Sequence, residues 1–147
     1  MQGTFNTLIE LSQTKSDNAA VRLAKVMTQL GESEQKTRML RGYRDDYRNR
    51  LDEAARRGAS AADLANFRAF IAKLDEAVAQ QGNEETFWRE QSVRARLEWQ
   101  AEQKQLQSFN TIATRRRNDH ERAQNRREQK SMDEFAARAT GARLAFK

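Results

Sequence analysis

The chain has 147 residues, 33% charged and 37% apolar, with a net charge of +6 and neither proline nor cysteine. A mean hydropathy of -1.00 leaves too little apolar content for a compact core, and no uninterrupted apolar run exceeds the four residues Ala69 to Ala72, which excludes a membrane-spanning helix. There is no disulfide framework without cysteine, and the N-terminus MQGTFNTLIELSQTK lacks the basic start and apolar stretch of a secretory signal, so a cytoplasmic protein is expected.

Proline breaks helix interiors because it lacks an N–H and its ring clashes with the preceding turn. A charged chain that avoids it entirely can run as long helices, and a two-stranded coiled coil needs only about two apolar positions in seven. The first predicted helix covers about residues 4–56. Alternating steps of three and four pick out Phe5, Ile9, Ser12, Ser16, Ala19, Leu23, Val26, Leu30, Ser33, Thr37, Leu40, Arg44, Tyr47, Leu51 and Ala54, ten of which are apolar. Ser12, Ser16, Ser33, Thr37 and Arg44 loosen this seam, so pairing is expected to be specific without being strong.

A break follows at ARRGASAAD. Gly58 can take the left-handed conformation that ends a helix, and Ser60 with Asp63 three residues on forms a capping-box pattern. So short a link, about residues 57–60, makes the helices antiparallel, an αα-hairpin.

The second predicted helix covers about residues 61–140. Its seam is Leu64, Phe67, Ile71, Leu74, Val78, Gln81, Glu85, Trp88, Ser92, Ala95, Trp99, Glu102, Leu106, Phe109 and Ala113. Gly82 lies inside it, at a cost of about 1 kcal/mol relative to alanine. The first helix, about 52 residues or roughly 78 Å long, covers an antiparallel partner to about residue 112. The apolar pattern of the second independently stops at Ala113. Residues 114–147 are therefore expected as an unpaired basic extension of a single all-α coiled-coil domain, ordering on a partner.

Between Arg115 and Lys130 stand seven basic residues against three acidic, a local +4, with Ala123 the one apolar residue. The run reads as a solvated face, a phosphate-contacting nucleic-acid surface or a docking helix for an acidic protein. Apolar residues then return: Met132, Phe135, Ala136 and Ala139 share one helical face, and Leu144 and Phe146 follow. No catalytic constellation, phosphate loop or metal-ligand spacing is visible, and His120 reads as a solvated side chain. Tyr43 and Phe70 fall just beside the seam and read equally as a widened core or an exposed patch, while Trp88 and Trp99 read as core.

The segment QKSMDEFAARA, Gln129 to Ala139, resembles the C-terminal signature of the FliJ family, the small coiled-coil component of the bacterial flagellar export apparatus. Leu40, Tyr43 and Tyr47 are similar to that family's L-x-x-Y-x-x-x-Y stretch, and Phe70, Ile71, Leu74 and Ala77 to its F-I-x-x-L-x-x-A stretch. The resemblance implies an antiparallel two-helix coiled coil like the stalk of a rotary ATPase, without enzymatic activity or cofactor. It implies a terminal end that contacts the hexameric export ATPase FliI through Arg115, Arg116, Arg122, Arg126, Met132, Asp133, Phe135, Ala136 and Arg138. Leu40, Tyr43, Tyr47, Phe70, Leu74, Ala77 and Gln81 are implied to contact the membrane export gate FlhA. Flagellar export chaperones are further implied partners, no nucleic acid is expected, and the location implied is peripheral, at the inner membrane beneath the flagellum. A non-flagellar type III secretion stalk protein and a basic coiled-coil nucleic-acid binder are the alternatives.

Overall fold

The computed structural model describes residues 2–145. It is an all-α helical hairpin of two helices, α1 (Gln2–Arg56) and α2 (Ala61–Ala145), with no strand among the described residues. The turn is closed by backbone chemistry at both ends. Gly58 takes φ +80°, which only a residue without a Cβ adopts cheaply. That conformation returns the Ala59 N–H to the Ala54 carbonyl at 3.0 Å and the Gly58 N–H to the Ala55 carbonyl at 3.2 Å, the two bonds of a Schellman cap. The Ser60 hydroxyl then accepts from the Asp63 N–H at 3.2 Å and starts α2.

Contacts divide the chain into two compact units, residues 13–103 and the pair of segments 1–12 and 104–147. Within the first, the helices run antiparallel: Arg48 meets Asp75, Ser33 meets Gln81, and Ser16 meets Gln103. Every seam position of both helices in this unit, Ser16 to Ala54 and Leu64 to Glu102, is buried or half-buried. The core is one layer thick, so its most enclosed members are small or slender: Ser16, Ala19, Ser33 and Thr37. The Thr37 hydroxyl tolerates burial by bonding backward along the helix, donating to the Ser33 carbonyl at 3.0 Å, and the Ser16 and Ser33 hydroxyls accept from α2. Gly82 stays within α2, its carbonyl accepting from the Thr86 hydroxyl.

In the second unit, Phe5, Ile9 and Ser12 on α1 share burial with Leu106, Phe109 and Ala113 on α2. The rings of Phe5 and Phe109 meet edge-on at 6.1 Å, and the Arg116 guanidinium lies over the Phe5 ring at 4.5 Å. Burial stops at Ala113: residues 114 to 143 are exposed throughout, yet remain helical.

Candidate functional site

Two surfaces carry the residues singled out in the sequence, one in each unit. In the unit of residues 13–103, the patch begins about two and a half turns from the hairpin bend. Tyr47 is a seam residue and Phe70 stands beside the seam on α2; their rings lie 4.5 Å apart, tilted by 48°. Phe70 thus covers the seam on one side and leaves 43% of itself exposed on the other, while Tyr43, one turn before Tyr47, is 52% exposed. The aromatic pair both widens the core and forms a surface. Leu40, Leu74 and Ala77 are half-buried behind it, and Met39, which the sequence reading passed over, is exposed beside it.

The opposite edge of this unit is ionic. The Asp75 carboxylate receives Arg48 at 3.3 Å and Arg44 at 3.8 Å, and further along Arg89 reaches Glu34 at 3.5 Å. Glu34, Arg48, Asp75 and Arg89 occupy one flank of the heptads and Tyr43, Phe70 and Ala77 the other. Near the bend one flank is ionic and the other carries Tyr43 and Phe70; farther along, the Tyr43 flank holds an ion pair of its own, Arg22 with Glu98 at 3.9 Å. Heptad lettering could have found the ion pairs, but not which alignment the helices choose.

Gln81 differs from the rest of its group. It lies inside the seam, buried, and its amide nitrogen donates to the Ser33 hydroxyl at 2.9 Å and the Ser33 carbonyl at 3.2 Å. Its neighbours in the sequence pattern face outward at least in part, whereas the Gln81 amide nitrogen is directed to α1.

In the unit formed by residues 1–12 and 104–147, the basic and apolar residues of the tail are on the surface. Arg115, Arg116, Arg122, Arg126, Asp133, Ala136 and Arg138 are all exposed, and Met132 and Phe135 are 71% and 75% exposed. Met132, Phe135, Ala136 and Ala139 fall on one face at helical spacing, flanked by Lys130 and Arg138. The side chain of Leu144 and all of Phe146 lie outside the described residues. At the root of the tail a groove is lined by Phe5 and Ile9 from α1 and by Ala113, Arg116, Arg117 and His120 from α2. The Arg116 guanidinium is held there over the Phe5 ring, which sets it apart from the other described cations of the tail.

The second surface is thus a solvent-exposed cationic helix with an apolar stripe, a form suited to binding a groove or an acidic surface on another macromolecule. No described helix is long and apolar enough to cross a membrane.

Comparison with known proteins covers most of the chain. Residues 1–144 match the family described as "Flagellar FliJ protein". The chain is 31% identical over 137 residues to the Flagellar FliJ protein of Salmonella typhi, and the match spans 93% of each chain. It is 30% identical, over the same length and shares, to the Flagellar FliJ protein of Escherichia coli (strain K12). An all-α hairpin with the tail signature at Gln129 to Ala139, matched over 93% of its length by these relatives, belongs to the flagellar FliJ protein family and is a flagellar export component.

Proposed function

We propose that this chain is a non-enzymatic coupling element of the flagellar export apparatus, binding the export ATPase ring through its exposed tail and the membrane export gate through its aromatic patch. The observation that carries the reading is the end of burial at Ala113, after which 30 residues of basic helix bear Met132 and Phe135 on the surface. Large apolar side chains gathered on one exposed helical face, as Met132, Phe135, Ala136 and Ala139 are, suit contact with a partner. On this reading Met132, Phe135 and Ala136 supply apolar contacts to the ATPase, and Asp133 and Arg138 border them. Arg115, Arg116, Arg122 and Arg126 complement acidic ring surfaces and speed the encounter. The contact promotes ring assembly and activity.

Leu40, Tyr43, Tyr47, Phe70, Leu74 and Ala77 form the gate-facing patch, with Gln81 behind them in the seam. Handling of export chaperones belongs to the same proposal, as does a peripheral place at the inner membrane gained through partners.

The test is ATP hydrolysis by the purified flagellar export ATPase, titrated with the full chain and with a chain ending after Ala113. Saturable stimulation by the full chain and its loss on truncation is the expected result. Absence of both stimulation and co-sedimentation with the full chain refutes the ring contact.

A further inference from the structure

We infer that Gln81 and Gln103 are positioning residues that fix the alignment of α1 on α2, and that they act through Ser33 and Ser16 rather than by touching a partner. Each is an amide on α2 bonded to a seam serine on α1: Gln81 Nε2 to Ser33 Oγ at 2.9 Å and Gln103 Nε2 to Ser16 Oγ at 2.9 Å. Ser16 and Ser33 are enclosed, Gln81 is buried and Gln103 is half-buried. The Ser33 carbonyl, which also accepts from Thr37, takes a second bond from Gln81 and completes a buried polar cluster.

Such clamps are needed because the seam itself selects its alignment weakly. A slip of one heptad returns seam positions to seam positions and shifts the helices by about 10 Å. The short capped turn opposes it beside the bend, but farther along, where Ser16, Ala19, Ser33 and Thr37 make the core, little interdigitation does. The amides do oppose it, and the sequence on either side of each serine shows how. Seven residues from Ser33 stand Val26 and Leu40, and seven from Ser16 stand Ile9 and Leu23. A slip in either direction therefore sets each glutamine amide against an aliphatic side chain; the half-buried Gln103 loses its partner, and the buried Gln81 is left with an unpaired donor, the costly outcome for a polar group. A single buried polar residue fixes register in the same manner in parallel coiled coils.

Alignment decides what the aromatic patch contains. In the observed one Phe70 packs on Tyr47, and Asp75 is shared by Arg44 and Arg48. One heptad of slip replaces Tyr47 by Leu40 or Ala54 and removes both arginines from Asp75. This second consequence rests on the gate-binding reading above; the clamp itself does not.

The chain has no cysteine, so an introduced pair is uniquely addressable. Nitroxide labels on Arg38→Cys and Arg94→Cys, both exposed, suit the measurement. Arg94 lies between Arg89 and Glu98, whose partners on α1 are Glu34 and Arg22, so Arg38 is offset from it by about 15 Å along the helices. Pulsed electron paramagnetic resonance on the full chain is expected to give one narrow distance. Gln81→Leu combined with Gln103→Leu, which makes the seam more apolar and preserves helicity by circular dichroism, is expected to add populations displaced by several ångströms, up to about 10 Å. An exchanged clamp, Ser33→Gln with Gln81→Ser, is expected to restore the narrow distance relative to Gln81→Leu. A single narrow distance in the double leucine variant, or no restoration by the exchange, overturns the inference. Binding of the soluble part of the gate protein, read on the same samples, separates the two readings. Phe70→Ala is expected to weaken it with the distance unchanged, and undiminished binding by Phe70→Ala refutes the patch while leaving the clamp standing.

Discussion

The same substitution at two glycines of the hairpin should change stability in opposite directions. Gly58 and Gly42 are both exposed, and a Cβ built on either meets nothing within 4 Å, so packing contributes to neither change. What differs is the backbone. Gly58 holds φ +80°, a conformation in which a Cβ crowds the following carbonyl at a cost of about 1–2 kcal/mol. Gly42 lies inside α1 at helical φ, where alanine replaces a residue that loses more entropy on folding and gains about 0.5–1 kcal/mol. Gly58→Ala is therefore expected to lower the urea midpoint followed by circular dichroism at 222 nm, and Gly42→Ala to raise it, with unchanged m-values in both. The gap between them is roughly 1.5–3 kcal/mol. Gly31→Ala and Gly82→Ala, also in open space, should behave as Gly42→Ala does. A neutral Gly58→Ala would show that the Schellman cap does not hold the turn. A destabilising Gly42→Ala would show that the exposed face of α1 is constrained by something other than its own helix.

Met132→Ser with Phe135→Ser should abolish stimulation of the export ATPase while leaving the unfolding free energy within about 0.5 kcal/mol of the parent, because both side chains are already in solvent; a fall in stability would place them in an internal contact instead. Asp75→Asn removes the carboxylate shared by Arg44 and Arg48, which is 43% exposed, so its loss is expected to cost below about 1 kcal/mol and to flatten the dependence of the urea midpoint on salt. A loss of several kcal/mol there would mean that the charged edge, rather than the seam, holds this part of the hairpin.

The seam was fully legible in the sequence. All the positions selected by alternating threes and fours, from Phe5 to Ala54 and from Leu64 to Ala113, are buried or half-buried. Periodicity succeeds because the hydrophobic pattern has one simple task, facing one other helix. The turn was legible for a similar reason: Gly58 and Ser60 are the residue types whose own chemistry caps a helix. The short turn and the length of the first helix set the coarse alignment, with cover ending near residue 112, but the individual partners of Gln81, Gln103 and Asp75 appear only in the structure. The exposure of Tyr43 and Phe70 could not be read either, because a position next to the seam is covered or bare according to the bulk of what faces it. The second helix was expected to about residue 140, and α2 runs on to Ala145.

The interhelical bonds of residues 13–103 have a further consequence, in the order in which they can form. Arg48 and Asp75 are separated by 27 residues of chain, Ser33 and Gln81 by 48, and Ser16 and Gln103 by 87. Each bond nearer the bend shortens the loop that the next must close, so closure entropy favours zipping outward from the bend. On the ribosome the wait is uneven in the same way. At about 5–20 residues per second, Ser16 precedes Gln103 by roughly 4–17 s, whereas Arg48 precedes Asp75 by a few seconds at most. During that interval Leu23, Val26 and Leu30 have no intramolecular cover. Mispairing with a neighbouring nascent copy is therefore a hazard of the end far from the bend, and the bend itself is protected by being finished early.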